Sequence, residues 1–107
     1  MAIKLKANSV DAIRNSAGNA CSLLKVLANE DRLMLLCQLT QGEKNVRELE
    51  LSTNILQPTL SQQLTKLRQE KIVTTRKEGK FIYYNISSNA VIDVMRTLSG
   101  LYGCNTK

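Results

Sequence analysis

The stretch LQPTLSQQLTKLRQEKIVTTRKEGKFIYYNI, from Leu56 to Ile86, decides the fold. Its first half repeats at helical spacing. Leu56, Leu60, Leu64 and Leu67 lie on one face, and Pro58 opens the helix at the position where proline is best tolerated. Ser61, Gln62, Thr65 and Lys66 fall on the opposite side, with Thr59 at the edge. An amide, hydroxyls and a lysine supply the donors and acceptors that reading base edges requires, although they also make an ordinary polar surface. After Lys71 the period changes. IVTTRK and KFIYYNI are β-branched and aromatic runs separated by Glu78-Gly79, which predicts a tight hairpin with glycine supplying positive φ. Ile82, Tyr84 and Ile86 point inward and Phe81 and Tyr83 to the other face. Arg76, Lys77 and Lys80 cluster at the tip. A hairpin with a basic tip directly after a polar-faced helix predicts the wing of a winged helix.

Working outward, Asn45 can cap a short helix from Val46 to about Leu51, with Val46 and Leu49 facing the core, and the connector STNILQ follows it. Upstream, Asn29 can cap a helix whose first turn carries Glu30 and Asp31, in keeping with the helix dipole. That helix runs through LMLLCQL, is apolar nearly all round and is expected to be the buried centre, with Gly42 ending it. From Val10 to Ala28, apolar residues recur at steps of three and four, an amphipathic helix weakened by Gly18. Ser88 caps a last helix from about Asn89 to Tyr102, striped by Val91, Val94, Met95, Leu98 and Leu101. The expected fold is mainly α with a β-hairpin wing: helix, helix, helix-turn-helix, hairpin, helix.

A chain of 107 residues suits one compact domain, residues 1–107, and its 43% hydrophobic content excludes a disordered chain. No run of 18 apolar residues spans a membrane, and MAIKLKANSV is not a signal peptide, so a cytoplasmic protein is expected. The formal net charge is +6, an excess common in nucleic-acid-binding proteins and also found in plain soluble domains. Its distribution says more. Between Lys66 and Lys80, six basic residues (Lys66, Arg68, Lys71, Arg76, Lys77, Lys80) face only Glu70 and Glu78. An enzyme would need a nucleophile with a base, or paired acids in a cleft. No histidine is present and no such pairing is visible, so no catalysis is expected. A winged helix serving only protein interaction is a further possibility, which the basic wing and polar helix argue against.

Taken in order, these segments resemble the ArsR family of metalloregulator-type repressors along essentially the whole chain. LLKVLANEDRLMLLCQL is similar to the family's second-helix signature, LQPTLSQQLTKLRQEKIV to its recognition helix and TTRKEGKFIYYNI to its wing. The resemblance implies a homodimer joined through the first and last helices, and their apolar stripes would be exposed in a monomer. It also implies a palindromic double-stranded DNA operator. Gln57, Thr59, Ser61 and Gln62 would then supply base or phosphate contacts, Lys66 would grip the backbone, and Arg76, Lys77 and Lys80 would form the basic wing.

Departures from the family pattern sharpen the reading. Where many relatives place a Cys-x-Cys pair in the third helix, this chain has Lys44-Asn45-Val46-Arg47-Glu48-Leu49. A zinc site needs about four Cys, His or carboxylate ligands. With three scattered cysteines and no histidine, neither a metal site nor a cofactor is expected. Cys37 on the second helix and Cys104 just past the last one resemble the sulfide- or persulfide-responsive branch of the family. There, two such cysteines become joined by a disulfide or a longer sulfur bridge and the repressor leaves its operator. The resemblance thus implies a Cys37/Cys104 redox switch with a reactive sulfur species as inducer, and Cys21 is expected to pack in the dimer core. Two alternatives stay open. One is a repressor sensing trivalent arsenic or antimony through Cys21, Cys37 and Cys104; the other is a redox-insensitive regulator in which Cys37 is an inert core residue.

Overall fold

A computed structural model describes residues 9–103, with helices α1 (Val10–Leu27), α2 (Glu30–Leu39), α3 (Val46–Thr53), α4 (Thr59–Gln69) and α5 (Asn89–Tyr102). Strands β1 (Lys44–Asn45), β2 (Val73–Glu78) and β3 (Phe81–Ile86) form an antiparallel sheet in the order β1-β3-β2. No helix among the described residues is long and apolar enough to cross a membrane.

Side-chain caps set the starts of four helices. Ser9 Oγ accepts from the Ala12 amide at 3.0 Å and Asn29 Oδ1 from the Arg32 amide at 3.0 Å. Ser88 Oγ accepts from the Val91 amide at 3.2 Å. On α3 the cap is reciprocal: Asn45 Oδ1 accepts from the Glu48 amide, while Glu48 Oε1 accepts from the Asn45 amide, both at 2.9 Å. Each cap satisfies an amide that has no partner within its helix.

The core is a single apolar cluster centred on α2. Leu35, Leu36, Leu49, Leu60, Leu64, Leu67 and Val91 are completely buried, joined by Val26, Leu27, Leu39, Ile55, Ile72, Val73, Ile86 and Met95. Helix α2 is the expected buried centre through Leu35, Leu36 and Leu39, but it is not covered all round. Met34 is 44% exposed and Cys37 half-buried, because both line a cleft left open between α2, α3 and α5.

Three further details differ from the sequence reading. Leu56 does not continue the inner face of α4 but is 64% exposed, and Ile55 takes the core position. The reason is that helix α4 starts only after Pro58, so helical periodicity does not extend back to Leu56. The hairpin loop is Gly79-Lys80, not Glu78-Gly79. Glu78 pairs with Phe81, and Gly79 takes φ +62 as the first of the two loop residues. Strand β1 has no signal in the sequence: two residues are too short for a period, and they pair only where the fold brings Lys44 opposite Tyr84 and Asn45 opposite Tyr83.

The fold is a winged helix-turn-helix, with α3 and α4 as the helix-turn-helix and β2–β3 as the wing. Helix α1 stands apart from it. Only Val26 and Leu27, in its last turn, are buried, while Val10, Ile13 and Leu24 are exposed. At the other end of the chain, Leu101 and Tyr102 are exposed as well.

Candidate nucleic-acid interface

The outer side of α4 carries the expected polar row. Ser61, Gln62, Thr65 and Lys66 are exposed and Thr59 is half-buried, while Leu60, Leu64 and Leu67 anchor the helix from below. Pro58, at the N-cap position, makes no side-chain cap bond. Gln57 caps the helix in its place, through an Oε1 that accepts from the Ser61 amide at 3.1 Å. Gln57 therefore builds the start of α4 rather than simply standing in front of it. Lys66 Nζ lies 3.3 Å from Glu70 Oε2 across one helical turn, with both side chains exposed, a pair that salt and a competing phosphate readily open.

The wing tip is less uniform than its sequence. Lys77 and Lys80 are exposed, and Lys80 Nζ stands 5.8 Å from the centre of the Phe81 ring. Arg76 is engaged elsewhere. Its Nε donates to Glu43 Oε1 at 2.8 Å and Oε2 at 3.0 Å, Nη2 donates to the same Glu43, and Nη1 donates to Glu78. The guanidinium also lies 4.9 Å from the centre of the Tyr83 ring. Hydrogen bonds from Arg76, reinforced by its charge, hold the Glu43 carboxyl below the usual carboxylate range, and bonds to Glu43 and then Glu78 push Arg76 further up. Arg76 thus ties the wing to the loop before β1. Glu43 is a residue that sequence reasoning missed, since it lies 33 positions away and carries no local pattern.

A second missed residue is Arg32, in the first turn of α2. Its Nη1 donates to Gln63 Oε1 on α4 at 2.9 Å, and its Nε donates to the Val26 carbonyl at the end of α1 at 2.5 Å. A lone arginine at the start of an apolar run was the available signal.

Of the cysteines, Cys21 is a free thiol exposed on α1. Cys37 lines a cleft of about 730 Å³ between α2, α3 and α5, together with Leu33, Met34, Met95, Leu98 and Tyr102. Cys21 does not line this cleft. Cys104 lies outside the described residues. Among the described residues no group of three or more His, Cys, Asp or Glu is placed to hold a metal ion.

A helix-turn-helix with a polar outer helix and a basic wing defines a DNA-binding transcriptional regulator. The model for the bacterial regulatory proteins of the arsR family matches residues 29–75. The biofilm growth-associated repressor of Agrobacterium fabrum is 44% identical over 91 residues, 85% of this chain and 78% of that protein. The structure of reduced HlyU from Vibrio cholerae superposes with a TM-score of 0.83 at 38% identity, covering 87% of this chain and 98% of that one. A homodimeric winged helix-turn-helix DNA-binding domain from Mycobacterium bovis gives 0.71 at 28% identity, over 89% and 88% of the two chains. The chain belongs to the arsR family.

Proposed function

We propose that the protein is a homodimeric repressor of a palindromic operator, released when a reactive sulfur species joins Cys37 to Cys104. The observation that carries this reading is the placement of Cys37. It lines a cleft whose wall includes Tyr102, and Cys104 follows Tyr102 by two residues in the sequence. A direct disulfide needs Cα atoms within about 7 Å, whereas a bridge with added sulfur tolerates a wider gap. The reaction balances with a persulfide as oxidant. One thiolate takes its outer sulfur and releases the thiol, and the second thiol attacks the protein persulfide to give a disulfide and hydrogen sulfide. If both thiols are persulfidated first, the bridge retains an extra sulfur.

Repression is supported by the Agrobacterium relative, which is a repressor, and sensitivity to redox state by the likeness to HlyU in its reduced form. Dimerisation is supported by the apolar residues exposed on α1 and α5 and by the homodimeric Mycobacterium relative. Joining α2 to the end of α5 can release DNA only if the bridge fits the DNA-bound arrangement worse than the free one. Gel shifts with intact-mass measurement test this. Cys37→Ser and Cys104→Ser should bind DNA normally when reduced and stay bound on persulfide addition, while Cys21→Ser should dissociate like the wild type. A Cys104→Ser protein that still lets go would overturn the reading. Loss of response in Cys21→Ser, with arsenite retained in the mass spectrum, would replace it by the arsenic or antimony sensor.

A further inference from the structure

Arg32 joins three helices through one side chain. It leaves the first turn of α2, donates through Nε to the Val26 carbonyl and through Nη1 to Gln63 Oε1 on α4. Val26 is the penultimate residue of α1, and the last four carbonyls of a helix have no amide one turn ahead to bond. The neighbouring ones are served by the chain itself, Leu24 by the Ala28 amide and Leu27 by the Asn29 amide. Arg32 serves Val26, placing a positive charge at the negative end of the α1 dipole. Gln63 is half-buried beside the exposed Gln62, so the bond to it meets α4 on the flank between its core face and its outer row. Arg32 is itself half-buried, where a charge-assisted bond is less screened than on an open surface.

We propose that Arg32 is a positioning residue for sequence recognition, fixing the rotation of α4 against the end of α1. The inference rests on α4 being the DNA-reading helix. Side chains on a helix reach about 5–6 Å from its axis, so a rotation of roughly 10° moves their tips by about 1 Å. Base contacts demand placement within about 0.5 Å, whereas long lysine side chains follow a phosphate across such a shift. Loosening the Arg32 tie therefore costs discrimination rather than general attraction to DNA. Because α1 is also the helix with exposed apolar residues, the tie relates each reading helix to the expected dimer seam.

The test uses the full-length protein and the duplex that the wild type selects from a randomised pool. Arg32→Lys keeps the charge but cannot span both acceptors, and Gln63→Met keeps the size but removes the acceptor. Each should lose ~10-fold in affinity for the selected duplex and less than about 2-fold for a mixed-sequence duplex, with the salt dependence unchanged. The double variant should be no worse than the poorer single one, because both substitutions remove the same tie. Urea midpoints establish that all variants are folded under the binding conditions. Unchanged affinity for the selected duplex would overturn the proposal. So would an equal loss on both duplexes with a salt slope reduced by about one, which would make Arg32 a phosphate contact. Additive losses would likewise overturn it. A pool from which the wild type selects nothing would sink the DNA-reading role of α4 itself, and this inference with it.

Discussion

Arg76 shows how far a single residue's role depends on its surroundings. In the sequence it is one of three cations at a hairpin tip; in the fold it is held by Glu43 and Glu78 and lies over Tyr83. A cation already matched by carboxylates releases fewer counterions from DNA than a free one. Lys77→Ala and Lys80→Ala should each weaken binding to every duplex and lower the salt slope by about one unit, whereas Arg76→Ala should lower it by less. Fluorescence anisotropy across a potassium chloride series measures all three, and equal slopes for the three variants would return Arg76 to the phosphate contacts. The Glu43–Arg76 tie has a definite pH sense. Since the folded-state Glu43 carboxyl titrates below its ordinary range, the tie is complete above that range and is lost only as pH falls through the lowered value. An NMR titration of the Glu43 side chain should show that acid-shifted midpoint, and Arg76→Gln should return it toward the ordinary one.

At the scale of elements, the junction between α4 and the wing is the most informative. The Ile72 amide donates to the Leu67 carbonyl at 3.0 Å and the Lys71 amide to the Arg68 carbonyl at 2.9 Å. This is the double closure of a Schellman motif, completed by buried Leu67 and Ile72. The left-handed position belongs to Lys71, at φ +60, where glycine is the usual residue. A side chain there costs about 1–2 kcal/mol, offset in part because glycine loses more chain entropy on folding. Lys71→Gly should therefore stabilise the protein by about 0.5–1 kcal/mol in urea unfolding. A lowered midpoint would show that the lysine side chain contributes more to the fold than its backbone strain removes. The geometry also explains why the wing follows the helix so abruptly: the motif turns the chain within two residues, and Val73 begins β2.

At the scale of the whole molecule, the decisive feature is what the fold leaves uncovered. Val10, Ile13 and Leu24 on α1, with Leu101 and Tyr102 on α5, are large apolar residues facing water. A second copy seated on them would bury both sets and present two α4 helices to DNA, with half-site centres about 34–36 Å apart or a multiple of that. Light scattering should show a dimer at micromolar concentration. Leu24→Asp and Leu101→Asp should each raise its dissociation constant by ~10-fold or more, because burial of one leucine side chain contributes about 1.5–3 kcal/mol. Operator affinity should fall with the dimer. A wild-type monomer would refute the arrangement.

The sequence by itself determined the order of the five helices and the hairpin, the helix caps at Asn29, Asn45 and Ser88, the inner leucines of α4 and its polar outer row. These are local properties, readable from periodicity and from single capping residues whose partners lie three positions away. The place of Leu56 is not legible there because periodicity does not reveal where a helix starts, nor that of Glu78, because a turn signal does not fix which two residues form the loop. The tertiary structure alone decided the pairing of β1 with β3, the withdrawal of Arg76 to Glu43, the capping of α4 by Gln57 and the bond from Arg32 to Gln63. Most of these join groups about 30 or more positions apart, and chain spacing carries no signal for contacts that exist only once distant segments pack. The Gln57 cap is short in range but depends on Pro58 leaving the first turn without a side-chain cap, which only the folded backbone reveals.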